Sequence, residues 1–561
     1  MPRTLLSLVP LIVLLTQPVL AGPAGVIYKE YHSTSGQQHI PGRRIYFPVS
    51  DPAAVHPFLD PNRPKIPLKS LDDIDLKYAV KAELSLEFWG GHLGSSDQKF
   101  RVNEHDWILW PQPVNTPTDP SWYHRVLLGN SAAEIPLEDL QSGTNAFEFT
   151  CGPVLDIARA WSHSWIYSFT LRIYYDERKP HPIGVITYPP PNSAVSENPL
   201  ILVEIDGDPD NIRRVDYLAN YEDYDWEGNG LYRQWHYQTR YGALARHVGA
   251  DTAAPYLKTW NTEWVPDQQH PIALRACITV DDGVVYQTPD IENIMFVRPD
   301  RSVRLYKPFD VPEGLGANRV KVNAGTHCKI DVTDEVSLAS EARLVLSTWS
   351  GTELSKIYLN GTGMNVDIGK TLNYSYDSIP IDQTVLRPGV NQFRAFSTSD
   401  YHKGEINWPG PALLVAYPSH SSGALEQLQH SMIQTLHSKV WEIRAYAAHI
   451  LGRTGQEESL TALLQTAADP EWPVRAAVAE ALGKYRDTRA VKALLDLLRS
   501  EEPYTRKIWQ VRKNAVASLV RIVDQSSVEM LTEALNEEDN LLKTYAAYLL
   551  ELVQGKDDVP E

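Results

Sequence analysis

The sequence predicts a multidomain protein that is mainly β over its first three quarters and all-α at its C-terminal end. Three observations predict this fold class. Strand-like alternation recurs in two matching segments, a further strand-rich segment separates them, and leucine- and alanine-rich amphipathic helices follow. The length of 561 residues also favours several domains.

Residues 1–21 have the features of a secretory signal peptide. Arg3 precedes a leucine-rich run from Leu5 to Leu15, and small residues surround Ala21. That run is shorter than a membrane span requires, and no later run is long and apolar enough. We therefore expect an exported protein, either secreted, periplasmic or on the cell surface, without membrane insertion.

Net charge disfavours one class of partner, and the cysteine count disfavours a disulfide framework. The formal net charge of −18 disfavours nucleic acid, because phosphate backbones are bound by cationic surfaces. The three cysteines, Cys151, Cys277 and Cys328, are odd in number and lie in different segments, so no disulfide framework is expected.

Residues 25–178 and 301–420 are expected to be two copies of one β-module. Matching residues keep their order and much of their spacing, which chance similarity rarely does over a whole domain. The matched sets are Ala82, Leu84, Leu86 and Trp89 with Ala342, Leu344, Leu346 and Trp349; Asn103 with Asn360; Leu140, Gly143, Asn145 and Phe147 with Leu386, Gly389, Asn391 and Phe393; and Trp165 and Tyr174 with Trp408 and Tyr417.

Each copy alternates apolar and polar residues between turn signals, as a strand with one buried face requires. The Trp89-Gly block, the Ile135-Pro block and the Gly143-x-Asn-x-Phe block resemble the galactose-binding-like jelly rolls. That resemblance implies two jelly-roll β-sandwiches, and it implies glycan binding, because the family includes many carbohydrate-binding modules.

Four tryptophans in loop-like sequence are candidate glycan contacts: Trp107, Trp110, Trp122 and Trp408. A flat aromatic ring can stack on the apolar face of a pyranose. Packing in the core is the other interpretation, and it is preferred for Trp89 and Trp349, which end core strands.

Residues 180–300 form a distinct strand-rich segment. Ala273-Leu-Arg-Ala followed by Asp281-Asp-Gly-Val resembles immunoglobulin-like domains of bacterial surface proteins, which implies a third β-sandwich. The segment has no Cys-Trp-Cys core of the antibody type.

An acidic stretch in this segment is a candidate calcium loop. Asp223, Asp225, Glu227 and Asn229 place side-chain oxygens at alternate positions, as calcium loops do. The stretch departs from the EF-hand pattern at Glu227 and at Gln234, which stands where a bidentate glutamate is usual. A looser Ca²⁺ site and a solvated acidic turn both remain open.

Residues 421–555 are expected to be a helical array. Three amphipathic helices share a pattern of tryptophan, then arginine three residues later, then alanines and a leucine, starting at Trp441, Trp472 and Trp509. The pattern resembles HEAT repeats, including the short type of the phycobilisome lyases. The resemblance implies an α-solenoid with a surface suited to protein contact, in which the arginines bridge neighbouring repeats.

The sequence contains no zinc-protease, nucleophile-elbow, Cys-x-x-Cys or phosphate-loop motif. We therefore expect a non-catalytic exported binding or scaffold protein, with glycan contacts through the jelly rolls and protein contacts through the array. The alternative is an extracellular or periplasmic carbohydrate-active enzyme, or an accessory subunit of one, whose carboxylates meet between domains.

Overall fold

The computed structural model describes residues 25–34, 47–52, 66–89, 97–110, 126–127, 132–152, 163–240, 242–309, 326–354, 356–364, 367–371, 373–397, 404–418, 424–499 and 506–556. A β-rich region reaches residue 418 and helices follow, as the sequence predicts. No helix within these ranges has the length and apolar character needed to cross a bilayer.

The first β region packs two sheets around an apolar core. Its strands are β1 (Val26–Thr34), β2 (Phe47–Ser50), β3 (Leu68–Ile74), β4 (Ala79–Trp89), β5 (Lys99–Val102), β6 (Ile108–Leu109), β7 (Val126–Leu127), β8 (Ala132–Ile135), β9 (Gly143–Thr150) and β10 (His163–Tyr175). One sheet has the order β3-β9-β5-β6, and the other contains β1-β10-β4. Leu84, Leu86 and Phe88 alternate into the core, while Glu83 and Ser85 face outward.

The middle segment continues the second of these sheets. Its strands are β11 (Ile183–Tyr188), β12 (Ala194–Val195), β13 (Leu200–Asp206), β14 (Ile212–Glu222), β15 (Arg233–Trp235), β16 (Gln238–Arg240), β17 (Ala243–Ala245), β18 (Gly249–Asp251), β19 (Leu257–Thr259), β20 (Ile272–Val280), β21 (Val284–Gln287) and β22 (Ile291–Phe296). Strand β21 pairs with β1, so one sheet runs across the boundary expected near residue 180. The buried apolar residues of both parts form one cluster.

The second β region has its own pair of sheets and its own core. Its strands are β23 (Arg301–Tyr306), β24 (Pro308–Phe309), β25 (Thr326–Val332), β26 (Glu341–Trp349), β27 (Lys356–Leu359), β28 (Thr362–Met364), β29 (Tyr374–Ile381), β30 (Gly389–Phe396), β31 (Glu405–Ile406) and β32 (Ala412–Pro418). The sheets have the orders β23-β32-β26-β29 and β24-β25-β30-β27-β28.

Strand pairing supports the duplication. The order β1-β10-β4-β8 matches β23-β32-β26-β29, and β3-β9-β5-β6 matches β25-β30-β27-β28. The expected alignment needs one correction in the last strand. Leu84 pairs with Leu171 and Leu344 with Leu413, so Tyr175, rather than Tyr174, corresponds to Tyr417. A β-bulge between Ile166 and Ser168 adds the extra residue.

The C-terminal helices form two layers. They are α1 (Leu425–Thr435), α2 (Trp441–Thr454), α3 (Glu457–Thr466), α4 (Trp472–Tyr485), α5 (Ala490–Leu498), α6 (Arg506–Ile522), α7 (Val528–Leu535) and α8 (Asn540–Lys556). Helices α2, α4, α6 and α8 pack side by side, and the remaining helices pack against them. Arg444 bridges neighbouring repeats through Asp469, 2.7 Å away, whereas Arg475 donates to the Asp469 carbonyl before its own helix.

All three cysteines are buried within the described residues, and none forms a disulfide.

Candidate functional site

The four candidate tryptophans lie in different surroundings. Trp107 is half-exposed, and the Arg101 guanidinium stands 4.7 Å from its ring centroid. Trp110 is only 2% exposed and meets Phe88 edge-on, 4.8 Å between centroids, so it packs in the core instead of facing a sugar. Its backbone amide donates to the Gln98 carbonyl, which turns the side chain inward after β6.

The remaining two candidates are Trp122 and Trp408. Trp122 lies outside the described residues. Trp408 is half-buried, and its carbonyl lies 3.5 Å from the point where a Cβ on Gly228 would stand. It therefore belongs to the contact between the second β region and the acidic loop.

The acidic loop, residues 223–230, directs its oxygens at its own backbone and side chains. Asp225 is fully buried and accepts from three amides, those of Gly228 at 2.9 Å, Asn229 at 3.1 Å and Gly230 at 2.7 Å. Burial, with the nearby Glu227 carboxylate, raises the pKa of Asp225 to about 7 despite those amides.

Glu227 forms a buried pair with His236. The imidazole Nδ1 lies 3.2 Å from both carboxylate oxygens, and Nε2 faces the carbonyls of Tyr221 and Tyr232 at 3.1 and 3.3 Å. Acceptors at both nitrogens suit an imidazolium, which donates twice. Burial disfavours that charge, but Glu227, Asp223 and the Tyr232 carbonyl together outweigh burial and raise the pKa of His236 to about 9.

The remaining loop oxygens are also engaged. Asp223 accepts from the Tyr224 amide at 2.7 Å and from the Trp226 indole at 3.2 Å, and burial raises its pKa. Asn229 exchanges hydrogen bonds with Gln234. Across the described ranges, no three His, Cys, Asp or Glu side chains group in a way that could hold a metal.

The side-chain oxygens of the predicted calcium loop are engaged within the chain. Each predicted ligand residue already accepts hydrogen bonds from the chain, and an ion would have to replace them. The calcium site stays a prediction.

The loop instead joins the middle segment to the second β region. Tyr224 is buried against Val345 and Leu414, and its hydroxyl donates to the Gly410 carbonyl at 2.6 Å. The Arg246 guanidinium lies 3.9 Å from the ring centroid of Trp226 and 4.5 Å from that of Tyr376. The acidic residues thus stabilise the conformation of a loop that packs against the second β region.

A small polar cleft of about 30 Å³, room for a few water molecules, lies between the first β region and the middle segment. One wall is the outer face of β4 and β10, and the other includes Tyr237 and Thr239. The sheet wall is a grid of directly paired residues: Glu83 with Arg172, Ser85 with Thr170, and Glu87 with Ser168.

The charged side chains that line the cleft all belong to β4 and β10. The Ser168 hydroxyl donates to Glu87 at 2.8 Å, and Arg172 donates to Glu30 at 2.6 Å. Both lining carboxylates, Glu83 and Glu87, belong to β4. Among the described lining residues, none gives a carboxylate on the opposite wall, which is the arrangement that the enzyme alternative required.

The helical array presents two tryptophans at equivalent repeat positions. Trp441 is 37% exposed near the start of α2, and Trp509 is 45% exposed near the start of α6. Trp472, the equivalent residue of α4, is half-buried between them in the repeat order. The Lys513 ammonium lies 5.3 Å from the Trp509 ring centroid.

The array is anchored on the middle segment. The Tyr446 hydroxyl accepts from the Ser196 amide at 2.8 Å and lies 3.1 Å from the Ser196 carbonyl. Arg453 pairs with Glu197 at 3.0 Å and with Asp300. Ala194 and Val297 belong to the apolar cluster of the array.

Sequence analysis missed the cleft and the docking role of the loop. The cleft is lined by the outward-facing polar residues of β4 and β10. In the sequence, polar residues at alternate strand positions have the same pattern whether they face bulk water or a second segment. The loop has a signal in Tyr224 and Trp226, because large aromatic residues within an acidic turn favour burial against a partner.

Comparison with known proteins identifies the helices. A family model described as HEAT repeats matches residues 431–510. No curated protein matches the chain.

Several solved structures show partial similarity to this chain. A chain of the phycocyanin lyase complex of CpcE and CpcF from Nostoc sp. PCC7120 is 19% identical, covering 24% of this chain and 55% of that chain, with a TM-score of 0.19. A beta-porphyranase of glycoside hydrolase family 86 from the human gut bacterium Bacteroides plebeius is 11% identical, covering 40% and 35%, with a TM-score of 0.18. The fibronectin(III)-like modules of Clostridium thermocellum CbhA are 13% identical, covering 40% and 89%, with a TM-score of 0.14. This chain spans about half the length of the lyase chain that it matches. The family model shows that its C-terminal helices include HEAT repeats.

Proposed function

We propose that this protein is an exported, non-catalytic binding scaffold. Its two β regions are jelly-roll modules, of which at least the first binds glycans, and the middle segment is an immunoglobulin-like sandwich. The HEAT array holds a protein partner. The observation that carries the proposal is the pair of exposed indoles at equivalent positions of an array anchored on the β-rich region.

Exposed indoles favour protein contact for a physical reason. Tryptophan exposes a large apolar ring to water, and tryptophan is enriched among the residues that dominate binding energy at interfaces. A helical solenoid repeats equivalent positions along an extended surface, so Trp441 and Trp509 lie where one elongated partner could contact both.

Anchoring gives the array a scaffold role. Tyr446 and Arg453 connect α2 to the middle segment, so a bound protein is held in a defined position relative to the β regions. Glycan binding draws support from the two-sheet architecture of both β regions and from the partly accessible Trp107 ring, a flat apolar surface of the kind that can stack on a pyranose.

The protein-contact part is tested with the full chain as bait for exported proteins of the source organism, followed by binding measurements on each purified candidate. We expect the double variant Trp441→Ala and Trp509→Ala to weaken binding of a true partner by roughly tenfold or more. The control is Phe309→Ala, an exposed aromatic residue of β24. Equal binding by the double variant and the wild type would overturn this part of the proposal.

A further inference from the structure

We infer that helix α6 presents a cationic surface that binds an acidic segment of the protein partner. This surface, the α6 ridge, consists of the exposed residues Trp509, Lys513, Ala517 and Arg521, which follow one another at intervals of four residues. The inference rests on the proposed protein contact through the array and names the chemical class of the partner. It stands on the charge of one helix and on a comparison of equivalent repeat positions.

Helix α6 differs from the rest of the chain in its charge. Its sequence contains five basic residues and no acidic residue, whereas the whole chain has a formal net charge of −18. Each of the other helices that the structure describes contains at least one aspartate or glutamate. Positive charge concentrated on one helix of an acidic protein attracts anionic groups.

The cations at one repeated position of α2 and α4 are paired within the chain. Arg453, Lys484 and Arg521 occupy the same position of three successive repeats, nine residues after the shared arginine. Arg453 pairs with Glu197 at 3.0 Å, and Lys484 lies 3.7 Å from Glu480, one helical turn earlier. The first two cations therefore already have carboxylate partners.

Helix α6 lacks the residue that would neutralise Arg521 in the same way. Ala517 stands where α4 has Glu480, so the turn before Arg521 offers no carboxylate. Arg521 is exposed, and it makes no ion pair with any residue that the structure describes. Its guanidinium is therefore available to a carboxylate of another molecule, which it can bind with two parallel hydrogen bonds.

The other end of the α6 ridge combines a positive charge with an apolar ring. Trp509 is 45% exposed, and the Lys513 ammonium lies 5.3 Å from its ring centroid. The residues equivalent to Lys513 are uncharged on α2, α4 and α8, where they are Ala445, Ala476 and Thr544. Lys513 thus offers a charge partner to a carboxylate, and Trp509 offers a surface to a neighbouring apolar side chain.

The α6 ridge has the length of a short peptide contact. From Trp509 to Arg521 the helix rises by about 18 Å. That distance corresponds to about three turns of a partner helix, or to about five to six residues of an extended strand. One acidic segment can therefore contact Trp509 and both cations together.

Flanking residues favour a short acidic segment over a long polyanion. The residues equivalent to Ala517 are Glu480 on α4 and Tyr548 on α8, and both are exposed. A nucleic acid, a sulfated polysaccharide or an anionic membrane extends beyond one helix and would meet Glu480 as well as the negative charge of the whole chain. An acidic polypeptide segment that carries an apolar residue matches the ridge without that repulsion.

The test uses the full chain and three fluorescent twelve-residue peptides. Each peptide has leucine at every fourth position, and its remaining residues are all glutamate, all glutamine or all lysine. We expect the glutamate peptide to bind in fluorescence anisotropy, and we expect the other two to bind at least roughly tenfold more weakly. A heparin fragment and a single-stranded DNA of the same charge serve as competing polyanions.

Charge reversal on the α6 ridge gives a second measurement. The double variant Lys513→Glu and Arg521→Glu should weaken binding of the glutamate peptide by roughly tenfold or more, and it should gain binding of the lysine peptide. The control is the double variant Arg213→Glu and Lys492→Glu, which changes the net charge equally at exposed positions of β14 and α5. We expect this control to bind the glutamate peptide nearly as tightly as the wild type does.

Equal binding of the glutamate peptide by the ridge variant and the control would overturn the inference. Failure of the wild type to bind this peptide would also overturn it, and either polyanion bound more tightly than the peptide would contradict the assigned class. A purified partner that is lost in Trp441→Ala with Trp509→Ala but retained by the ridge variant would remove the acidic segment and leave the proposed protein contact in place.

Discussion

The Asn103 side-chain amide donates to the Asn145 side-chain oxygen at 2.8 Å, and Asn360 makes the same bond to Asn391 at 2.7 Å. In both copies the first asparagine also donates to a turn carbonyl and accepts from the strand of the second. Sequence matching predicted the correspondence, and the shared network shows what each pair does. It ties β5 or β27 to the turn that precedes β9 or β30.

Removal of the second asparagine should destabilise its own copy. Asn145→Ala and Asn391→Ala each leave buried groups without partners, at a cost of roughly 2–3 kcal/mol. Native-state hydrogen exchange should show the loss of stability in the β region that carries the substitution, and thermal unfolding should show the overall decrease. Asn211→Ala, at an exposed position, is the control, and an equal effect from it would contradict this role.

The Glu227–His236 pair should make stability depend on pH. A histidine pKa raised from about 6.5 to about 9 contributes stability that is complete below pH 6.5 and lost as the pH rises through 9. Asp225, whose pKa is raised to about 7, contributes stability that is complete below about pH 4 and is lost as the pH rises from about 4 to 7. The melting temperature should therefore fall from pH 6.5 to 9.

A substitution of His236 separates its contribution to the pH dependence of the melting temperature from that of other groups. His236→Gln should be less stable than the wild type at pH 6.5 and should lack most of the decline up to pH 9, whereas the exposed His430→Gln should retain it. An unchanged decline in His236→Gln would show that the buried imidazolium does not contribute.

Close helix contacts in the array reverse the usual effect of replacing glycine with alanine. A Cβ on Gly452 would stand 2.6 Å from the Ala481 Cβ and 2.7 Å from its Cα, so α2 and α4 would have to separate. We expect Gly452→Ala to cost about 1–3 kcal/mol in chemical denaturation of the array. Gly555→Ala, which meets no atom within 4 Å in α8, should cause no such loss.

Tyr446 should hold the array on the middle segment. Tyr446→Phe removes both hydroxyl bonds to Ser196, and we expect faster amide exchange over residues 194–197 by an amount equivalent to about 1–2 kcal/mol. The control is Tyr548→Phe, which alters an exposed tyrosine of α8. Unchanged exchange in Tyr446→Phe would mean that Arg453 and the apolar contacts suffice.

How far the sequence predicts this molecule depends on whether a feature is local or repeated. Each occurrence of the HEAT pattern lies within a single helix, so the sequence alone reveals it, and the family model confirms HEAT repeats over residues 431–510. The alternation of Leu84, Leu86 and Phe88 likewise predicted which side of β4 is buried, because that alternation is a property of one strand.

The rest depends on which distant residues meet. Trp110 looked like a loop residue because Pro111 follows it, but its contact is with Phe88 on another strand. Asp225 and Glu227 have calcium-loop spacing, and the partners that satisfy them include His236 from the next strand. Contacts of this kind are set by tertiary packing, which overrides local patterns.

The central claim, that this chain binds glycans without cleaving them, is tested most directly by incubating the full chain with an array of oligosaccharides while monitoring new reducing ends. The account predicts that at least one glycan is retained and recovered intact. Retention of no glycan, or release of new reducing ends from a retained one, would contradict it.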